Sequence, residues 1–156
     1  MMPTFEFDRT FRSANSTDDD VLHQLIRSCW IEVYSAHVSA ETAACFTLQN
    51  EVGEHLDLFI STLEVAVVNG CVVGVINHSD GFIASLFVAN SFRRKRIGSS
   101  LLYNVEIAGG RYLEVAAFNY QAILFYEENG WQRFRVVEDD EFGTKLKSFG
   151  MVKTSR

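Results

Sequence analysis

The stretch LFVANSFRRKRIGSSLL, residues 86–102, decides the fold of this chain. It begins with an apolar run that predicts a strand, continues into the four consecutive cations Arg93 to Arg96, and ends in a pattern that predicts a helix. The first turn of a helix leaves backbone N–H groups unpaired and carries partial positive charge. Cations beside such a helix start favour a bound phosphate, and Gly98 would let a ligand approach the backbone closely. A solvated basic turn is the alternative that this stretch alone leaves open.

A second segment, LEVAAFNYQAILFYEENGW at residues 113–131, predicts a strand followed by a helix. Asn119 stands where an amide side chain can cap the first helical turn. Tyr126 lies seven residues later, about two helical turns along the same face. Both side chains can therefore point at one ligand. The structural alternatives are a cap alone for Asn119 and a buried core aromatic for Tyr126.

The two segments, in this order, resemble the acetyl-CoA motif of the GNAT N-acetyltransferase superfamily and the motif that follows it. The first family pattern is Arg or Gln, two residues, Gly, one residue, and then Gly or Ala, and Arg93 and Gly98 match it. Arg96 stands where the family usually has glycine, so its side chain either crowds a bound diphosphate or points outward and adds positive charge. The second motif is matched at Asn119, Ala122, Phe125, Tyr126, Gly130 and Trp131.

The resemblance implies an α/β (α+β) fold, in which a mixed, mostly antiparallel and twisted sheet of about six to seven strands carries helices on both faces. Apolar spacing predicts a helix capped at Thr17 and continuing to Tyr34, and two helical pieces between Ser39 and Leu63 that are broken near residues 50–53. Asn69-Gly70 predicts a tight hairpin. Strands are expected at residues 10–14, 64–68, 71–77, 82–88, 112–117, 131–137 and 145–152, with a turn at 78–81 and helices after residues 96 and 118.

The resemblance also implies acetyl-CoA as the cosubstrate and assigns residues to it. Backbone N–H groups of Leu86, Phe87 and Val88 would contact the pantetheine and the thioester oxygen. Asn119 would contact the cofactor, and Tyr126 matches the tyrosine that many members use to protonate the departing CoA sulfur. The residues implied to hold the diphosphate are Arg93, Arg94, Lys95, Arg96, Ile97, Gly98 and Ser99.

The expected reaction is direct transfer of an acetyl group to a primary amine, with no metal and no covalent enzyme intermediate. Members that use a catalytic glutamate often carry it on the strand before the phosphate loop, but here that strand has Ser85 and no carboxylate. His78 is an available imidazole or a solvated turn residue, and water or an amine that arrives deprotonated would also serve. Glu64 and Glu114 are interpreted as the polar face of the sheet, without a role.

The acceptor amine is not identified by any motif in the sequence. In the family, the region that corresponds to residues 34–63 shapes the acceptor pocket, and Tyr34, His37 and Phe46 either line such a pocket or only pack. A catalytically silent CoA-binding sensor or interaction domain of the same fold is the alternative function. The missing strand carboxylate and Arg96 motivate that alternative.

The composition is that of one soluble domain, spanning residues 1–156. A chain of 156 residues can bury a sizeable core, and 47% hydrophobic with 22% charged residues is close to the soluble average. No apolar run approaches the roughly 20 residues that a membrane helix needs, and the first residues lack a secretion signal, so we expect no membrane association and a cytoplasmic location. Three cysteines without zinc or redox spacing, namely Cys29, Cys45 and Cys71, are predicted to be buried thiols.

The net charge of −6 argues against nonspecific nucleic-acid binding, which depends on accumulated Lys and Arg. A local basic cluster on an acidic protein suits one small polyanion, and the acidic remainder is compatible with a cationic amine. The expected partners are therefore acetyl-CoA and an amine acceptor. Dimers are common in the family, but no isolated apolar patch in the sequence distinguishes a homodimer from a monomer.

Overall fold

The computed structural model describes residues 8–48, 60–141 and 144–154. The strands are β1 (Arg9–Ser13), β2 (Leu63–Val68), β3 (Cys71–Ser79), β4 (Phe82–Val88), β5 (Tyr112–Ala116), β6 (Trp131–Glu141) and β7 (Thr144–Lys153). The helices are α1 (Asp19–Tyr34), α2 (Ala40–Leu48), α3 (Ile97–Ile107) and α4 (Tyr120–Glu128). Short 3-10 turns occupy Ser16–Asp18, Ile60–Thr62 and Asn90–Phe92. Within the described ranges, every helix is too short or too polar to cross a bilayer.

The strands form one seven-stranded mixed sheet in the order β1-β2-β3-β4-β5-β7-β6. All neighbouring pairs are antiparallel except β4 and β5, which run parallel because α3 connects them as a crossover. Side chains of β2 alternate between two cores: Ala66 and Val68 pack with α3 and α4, whereas Leu63 and Val65 pack with α1. Helices therefore cover both faces, and the predicted fold class is confirmed.

Two tight turns join β2, β3 and β4. Asn69 and Gly70 have φ angles of 50° and 82°, as a two-residue hairpin of the primed type requires. Asp80 and Gly81 have φ angles of 52° and 83° and form the second turn. The turn predicted over residues 78–81 is thus shorter than expected, because His78 and Ser79 still belong to β3 and pair with β4. The first of two predicted helical pieces is α2, while the second and the break before it lie outside the described residues.

The start of α1 depends on Asn15 and Asp18, so the prediction of Thr17 as the cap is wrong. The Asn15 side chain accepts a hydrogen bond from the Thr17 backbone N–H at 3.0 Å, and the Asp18 carboxylate accepts one from the Asn15 N–H at 2.9 Å. A 3-10 turn precedes the α-helix, so the capping residue is Asn15, two positions before Thr17. Arg12 also donates two hydrogen bonds of 2.8 Å to the buried Asp18 carboxylate.

Replacing Asp18 by asparagine is expected to lower the free energy of unfolding by about 2 kcal/mol, because a buried, charge-assisted bond is lost. The hydrogen bond from Arg12 is the main cause of the lowered pKa of Asp18. A lowered pKa stabilises the fold above the ordinary aspartate value of about 4, and that contribution is lost as the pH falls through the folded-state value. Urea unfolding should therefore show the largest difference between wild type and Asp18→Asn near neutral pH, with convergence in acid.

The neighbouring exposed Asp19 offers a matched control for this prediction. It stands in the first turn of α1, so Asp19→Asn should cost no more than about 0.5 kcal/mol through the helix dipole. Equal effects of Asp18→Asn and Asp19→Asn would contradict a special role for the pair with Arg12.

The cysteines differ in exposure. Cys29 is buried on α1, as predicted, with a relative accessibility of 3%. Cys71 is exposed, so the prediction of a buried thiol is wrong there: it is the first residue after the hairpin, at the solvent end of β3. The side chain of Cys45 lies outside the described part of the chain.

Candidate active site

Strands β4 and β5 separate soon after they begin. Within the described chain their register contains two pairs, Phe82 with Tyr112 and Ile83 with Leu113. On its other side β4 remains paired with β3 as far as Val88. From Ala84 onward, the edge of β4 that faces β5 therefore lacks a strand partner among the described residues. Such an edge presents backbone N–H and C=O groups to the cleft between the strands.

The backbone of the open edge is held by its own side chains. Leu86 and Val88 pack against the core under α3 and α4, and Phe87 packs against the core under α1. Side chains anchored on both faces fix the orientation of the peptide groups between them. The sequence predicts that Leu86, Phe87 and Val88 donate backbone N–H groups to a ligand at this edge. The Ala89 N–H bonds the Val73 carbonyl of β3 at 2.8 Å, and hydrogen-bonded pairs alternate along the register, so the Phe87 N–H also faces β3. Leu86 and Val88 therefore direct their N–H groups to the open edge, and the prediction is wrong for Phe87.

The loop between β4 and α3 contains two arginines with left-handed backbone. Arg94 has a φ of 61° and Arg96 a φ of 64°, a conformation that costs a non-glycine residue about 1–2 kcal/mol. Both side chains are exposed, and neither has an acidic partner among the described residues.

The start of α3 has no side-chain cap, unlike the turn before α1 and the start of α4. Arg96 occupies the N-cap position, and a guanidinium cannot accept a hydrogen bond from the helix. The first-turn N–H groups of Ile97, Gly98 and Ser99 therefore lack a side-chain acceptor from the cap position. The Ile97 side chain is buried, so this residue can offer a ligand only its backbone. Uncapped donors next to cations form a site for an anion.

Gly98 brings α3 close to α4. A Cβ added at Gly98 would lie 3.4 Å from Cζ of Phe125 and 3.6 Å from Cγ2 of Val88, which is ordinary contact. The fold itself therefore tolerates a small side chain there. Lys95 of the same loop lies over the Phe92 ring, 5.3 Å from its centroid, and its carbonyl accepts a hydrogen bond from Arg9 at 3.0 Å.

Arg93, the first cation of the loop, turns towards α1. Its Nη1 and Nη2 donate to the Glu32 carboxylate at 2.5 and 3.0 Å, and its Nε donates to the carbonyl of Val88 at 3.0 Å. The buried Cys29 thiol lies 3.6 Å from the same carbonyl, and burial raises the pKa of this thiol. Arg93 thus ties the end of β4 to α1. The sequence did not indicate these contacts, because the Arg93–Glu32 pair and the Cys29–Val88 contact each span about 60 residues of chain.

Exchanging the charges of Arg93 and Glu32 should separate this tie from direct ligand binding. Arg93→Glu alone and Glu32→Arg alone are each expected to lower the free energy of unfolding by about 1 kcal/mol, since the pair is partly exposed. The double variant should recover most of that loss, measured by urea unfolding. Because Arg93 is predicted to contact the diphosphate, the affinity of the protein for CoA should be measured in the same three variants. Recovery of CoA affinity in the double variant would contradict a direct phosphate contact by Arg93.

Glycine at Arg96 is expected to make the protein more stable and its anion site weaker. Arg96→Gly removes the strain of the left-handed backbone, and after the entropy that glycine adds to the unfolded chain, the net gain is up to about 1 kcal/mol. Lys95→Gly is the matched control because Lys95 has no positive φ, and it should lower stability. Urea unfolding measures both variants. A loss of stability in Arg96→Gly would contradict the strain argument.

Tyr126 on α4 is nearly buried, with a relative accessibility of 8%, and its ring packs against Phe125 and Trp131. Burial is the main cause of the raised pKa of the Tyr126 phenol, and the electrostatic interaction with Tyr34 on α1 raises this pKa further. No described residue hydrogen-bonds this hydroxyl. Tyr126 belongs to the core under α3 and α4, whereas Tyr34 packs against the core under α1.

Asn119 caps α4, as the structural alternative predicted. Its Oδ1 accepts a hydrogen bond from the Ala122 N–H at 3.3 Å. The Nδ2 group of Asn119 has no partner among the described residues and stays available as a donor. The cap and a contact to a ligand are therefore compatible at this residue.

A cavity of about 170 Å³ lies on the α1 face, where β4 and β5 separate. Its described walls are Tyr34, Phe82, Ala84, Glu114, Ala116, Leu146 and Ser148. Tyr34 thus lines a pocket, and Glu114 brings a carboxylate into it, although the sequence indicated no role for Glu114. The signal available in the sequence was weak: Glu114 is the single charge in the β5 pattern YLEVA.

The other candidates have structural partners. His37 is exposed and stacks on Phe118 with the ring centroids 3.9 Å apart. The His78 Nε2 accepts a hydrogen bond from the Gly81 N–H at 3.3 Å, and Glu64 accepts one from Asn104 at 3.1 Å. The side chain of Phe46 lies outside the described residues. Within the described ranges, no three His, Cys, Asp or Glu side chains are grouped as metal ligands.

Solved structures share this architecture. YjaB from Escherichia coli, solved in solution in its apo form, is 19% identical over 95% of this chain and 99% of its own, with a TM-score of 0.76. A GCN5-related N-acetyltransferase from Rhodopseudomonas palustris is 17% identical over 98% and 100%, with a TM-score of 0.77. The PaiA N-acetyltransferase from Thermoplasma acidophilum, in complex with coenzyme A, is 19% identical over 95% and 99%, with a TM-score of 0.72. At these identities the likeness shows the fold alone.

The sequence itself matches a family. No curated protein sequence is significantly similar to the chain. The profile of the Acetyltransferase (GNAT) family, however, matches residues 20–131, which is more than half of the chain and contains both motifs, the open edge of β4 and the uncapped start of α3. The chain therefore belongs to the GNAT acetyltransferase family.

Proposed function

We propose that this protein is an acetyl-CoA-dependent N-acetyltransferase that transfers an acetyl group directly to a primary amine of a small molecule or peptide. The observation that carries the proposal is the junction of the open β4 edge with the uncapped, cation-flanked start of α3. Acetyl-CoA would supply the thioester that is consumed and a diphosphate that suits this junction. The complex of the PaiA N-acetyltransferase with coenzyme A supports this cosubstrate. The protein would act in the cytoplasm as a single domain, residues 1–156.

The phosphates would be held mainly by the start of α3. The first-turn N–H groups of Ile97, Gly98 and Ser99 supply aligned donors, and Arg94 and Arg96 supply charge. Lys95 contributes a third positive charge on the same loop. The role predicted for Arg93 becomes partly indirect, since Glu32 already engages its guanidinium.

The open edge of β4 would stabilise charge during transfer. Backbone N–H groups of Leu86 and Val88 are the donors that face the cleft and are available to the pantetheine amides and to the thioester oxygen. A donor that is already oriented stabilises a developing oxyanion by several kcal/mol, on the order of 3 per donor in enzymes where one has been removed. The anchored side chains of these residues provide that orientation.

Tyr126 would act as the general acid. Its raised pKa keeps the phenol protonated, which is the state that an acid needs. The phenol donates its proton to the sulfur as the C–S bond breaks and the C–N bond forms. It then regains a proton released by the attacking nitrogen through water, so that Tyr126 ends each cycle neutral. Asn119, seven residues before Tyr126 on α4, can donate from Nδ2 to the cosubstrate.

A thiol-release screen with acetyl-CoA against a diverse library of primary amines tests this function. Release of CoA with at least one amine, together with an acetylated product identified by mass spectrometry, is the expected result. Tight CoA binding without any turnover would favour the sensor alternative, which the absence of a carboxylate on β4 motivates. A calorimetric titration in which CoA does not bind at about millimolar concentration would overturn both.

A further inference from the structure

We propose that Glu114 binds the positively charged ammonium group of the acceptor, so that this enzyme selects amines that are cations. The inference rests on the proposed function, because it treats the cavity between β4 and β5 as the acceptor side of the cleft. It assigns a substrate class to that cavity and a recognition role to a residue to which the sequence indicated none.

The position of Glu114 follows from the strand register. Phe82 with Tyr112 and Ile83 with Leu113 are the two parallel pairs, so Ala84 and Glu114 stand at the next position of each strand, where the strands have already separated. Side chains alternate along β5, and the odd positions Leu113 and Val115 are buried under α3 and α4. Glu114 therefore projects to the other face, at the narrow end of the opening. The alanine across the gap leaves the space into which its carboxylate projects.

One carboxylate oxygen of Glu114 is held, and the other is free to bind. The Tyr112 hydroxyl donates to Oε1 at 2.6 Å, and Arg135 Nη2 lies 3.5 Å from the same oxygen. Among the described residues no group bonds Oε2. The side chain is thus fixed in orientation while an acceptor site of the carboxylate stays open, which is what a charge-assisted bond from an N–H⁺ group requires.

Glu114 has one neutral and one cationic neighbour, Tyr112 and Arg135. Burial and the bond to Glu114 raise the pKa of Tyr112, so its phenol keeps the proton and acts as a neutral donor. Arg135 is about half exposed, and an exposed ion pair at 3.5 Å is weak because water screens it. Arg135 also bonds the Tyr112 hydroxyl at 2.5 Å, closer than it approaches Glu114. Among the described residues that line the cavity, Glu114 is the one with a formal charge.

The remaining walls suit a small organic cation. Tyr34 and Phe82 present aromatic rings, which attract a cation through their π faces, and Ala84, Ala116 and Leu146 are apolar. Before attack, the ammonium gives one proton to solvent water, and the amide product carries no charge. Glu114 would therefore hold the substrate more strongly than the product, which favours product release.

Calorimetric titration of the CoA-saturated protein with benzylamine and benzyl alcohol tests the inference. The two probes have similar shapes, but only benzylamine is a cation at neutral pH. Wild type should bind benzylamine at least about tenfold more tightly, which corresponds to about 1.4 kcal/mol. Glu114→Gln should abolish this preference and leave benzyl alcohol binding unchanged. Glu64→Gln, another strand carboxylate that is absent from the cavity wall, is the matched control and should retain the preference.

Equal binding of the two probes to wild type would overturn the inference without any variant, as would an unchanged preference in a folded Glu114→Gln. Its failure can be told apart from failure of the proposed function. If wild type and Glu114→Gln acetylate amines at the same rate, only the role of Glu114 is contradicted. If benzylamine binding depends on Glu114 but no amine causes CoA release from acetyl-CoA, only the proposed acetyl transfer is contradicted.

Discussion

Replacing Tyr126 by phenylalanine is expected to lower kcat about 100-fold with any amine that the protein acetylates, because a general acid contributes roughly 10² to 10⁴ to the rate. The thiolate would then have to leave without a proton. The KM for acetyl-CoA should change little, since the hydroxyl acts at the breaking bond and the ring, which supplies the packing against Phe125 and Trp131, is kept. Steady-state assay of CoA release with saturating amine measures both constants.

The control for this prediction lies on the same helix. Tyr120 is 77% exposed at the start of α4, so Tyr120→Phe removes a hydroxyl from the same element without touching the cleft interior. Its kcat should stay within about twofold of wild type. Urea unfolding of both variants shows whether Tyr126→Phe keeps its fold. A folded Tyr126→Phe with wild-type kcat would eliminate Tyr126 as the acid and leave the leaving group to water.

Reversing both exposed charges of the loop, in the double variant Arg94→Glu and Arg96→Glu, should raise the dissociation constant of CoA about 100-fold or more. Each arginine lost from a phosphate costs about 1.5 kcal/mol, and two such losses make about 3 kcal/mol before the new repulsion is counted. Calorimetry with CoA measures the change. The affinity of wild type for CoA should also fall with added salt. Salt ions screen the attraction between exposed charges, and the Debye length is already about 10 Å at 0.1 M ionic strength.

Lys145→Glu is the control for charge reversal, since Lys145 is exposed on β7, whereas the proposed anion site lies at the end of β4 and the start of α3. This variant should bind CoA with wild-type affinity. If the double loop variant also bound CoA as wild type does, the backbone donors of α3 alone would hold the phosphates. The uncapped helix start would then account for the site without the arginine side chains.

The strands, turns and helices were predictable from local patterns, because turn conformation, strand formation and helix capping depend on residues close together in the chain. The Asn69-Gly70 dipeptide satisfies a positive φ at two positions, and the structure has the hairpin there. Strand β4 spans Phe82–Val88, as the apolar run predicted, and α4 begins directly after the Asn119 cap. Errors occurred where a longer-range partner decides. Asn15 replaces Thr17 as the cap because Asp18 is also bound by Arg12 from β1.

The residues of the candidate site likewise fall into those that local sequence indicates and those that depend on tertiary contacts. The basic loop and the two motif segments could be read from the sequence, since each lies on one continuous stretch of chain. Glu114 and the bond between Arg93 and Glu32 could not, because both depend on which strands separate and which helix lies alongside. A strand glutamate looks the same in sequence whether it faces bulk water or a cavity.

By itself, the sequence determined the order of strands and helices, the uncapped and cation-flanked start of α3, and membership of the GNAT acetyltransferase family. These features depend on hydrophobic period, turn chemistry and the residue at a helix N-cap, all of which act over a few residues. Only the tertiary structure decided that β4 and β5 part after two residue pairs, that Arg93 turns to α1, and that Glu114 enters a cavity beside Tyr34. Those outcomes result from packing between segments far apart in the chain, and no local pattern records them.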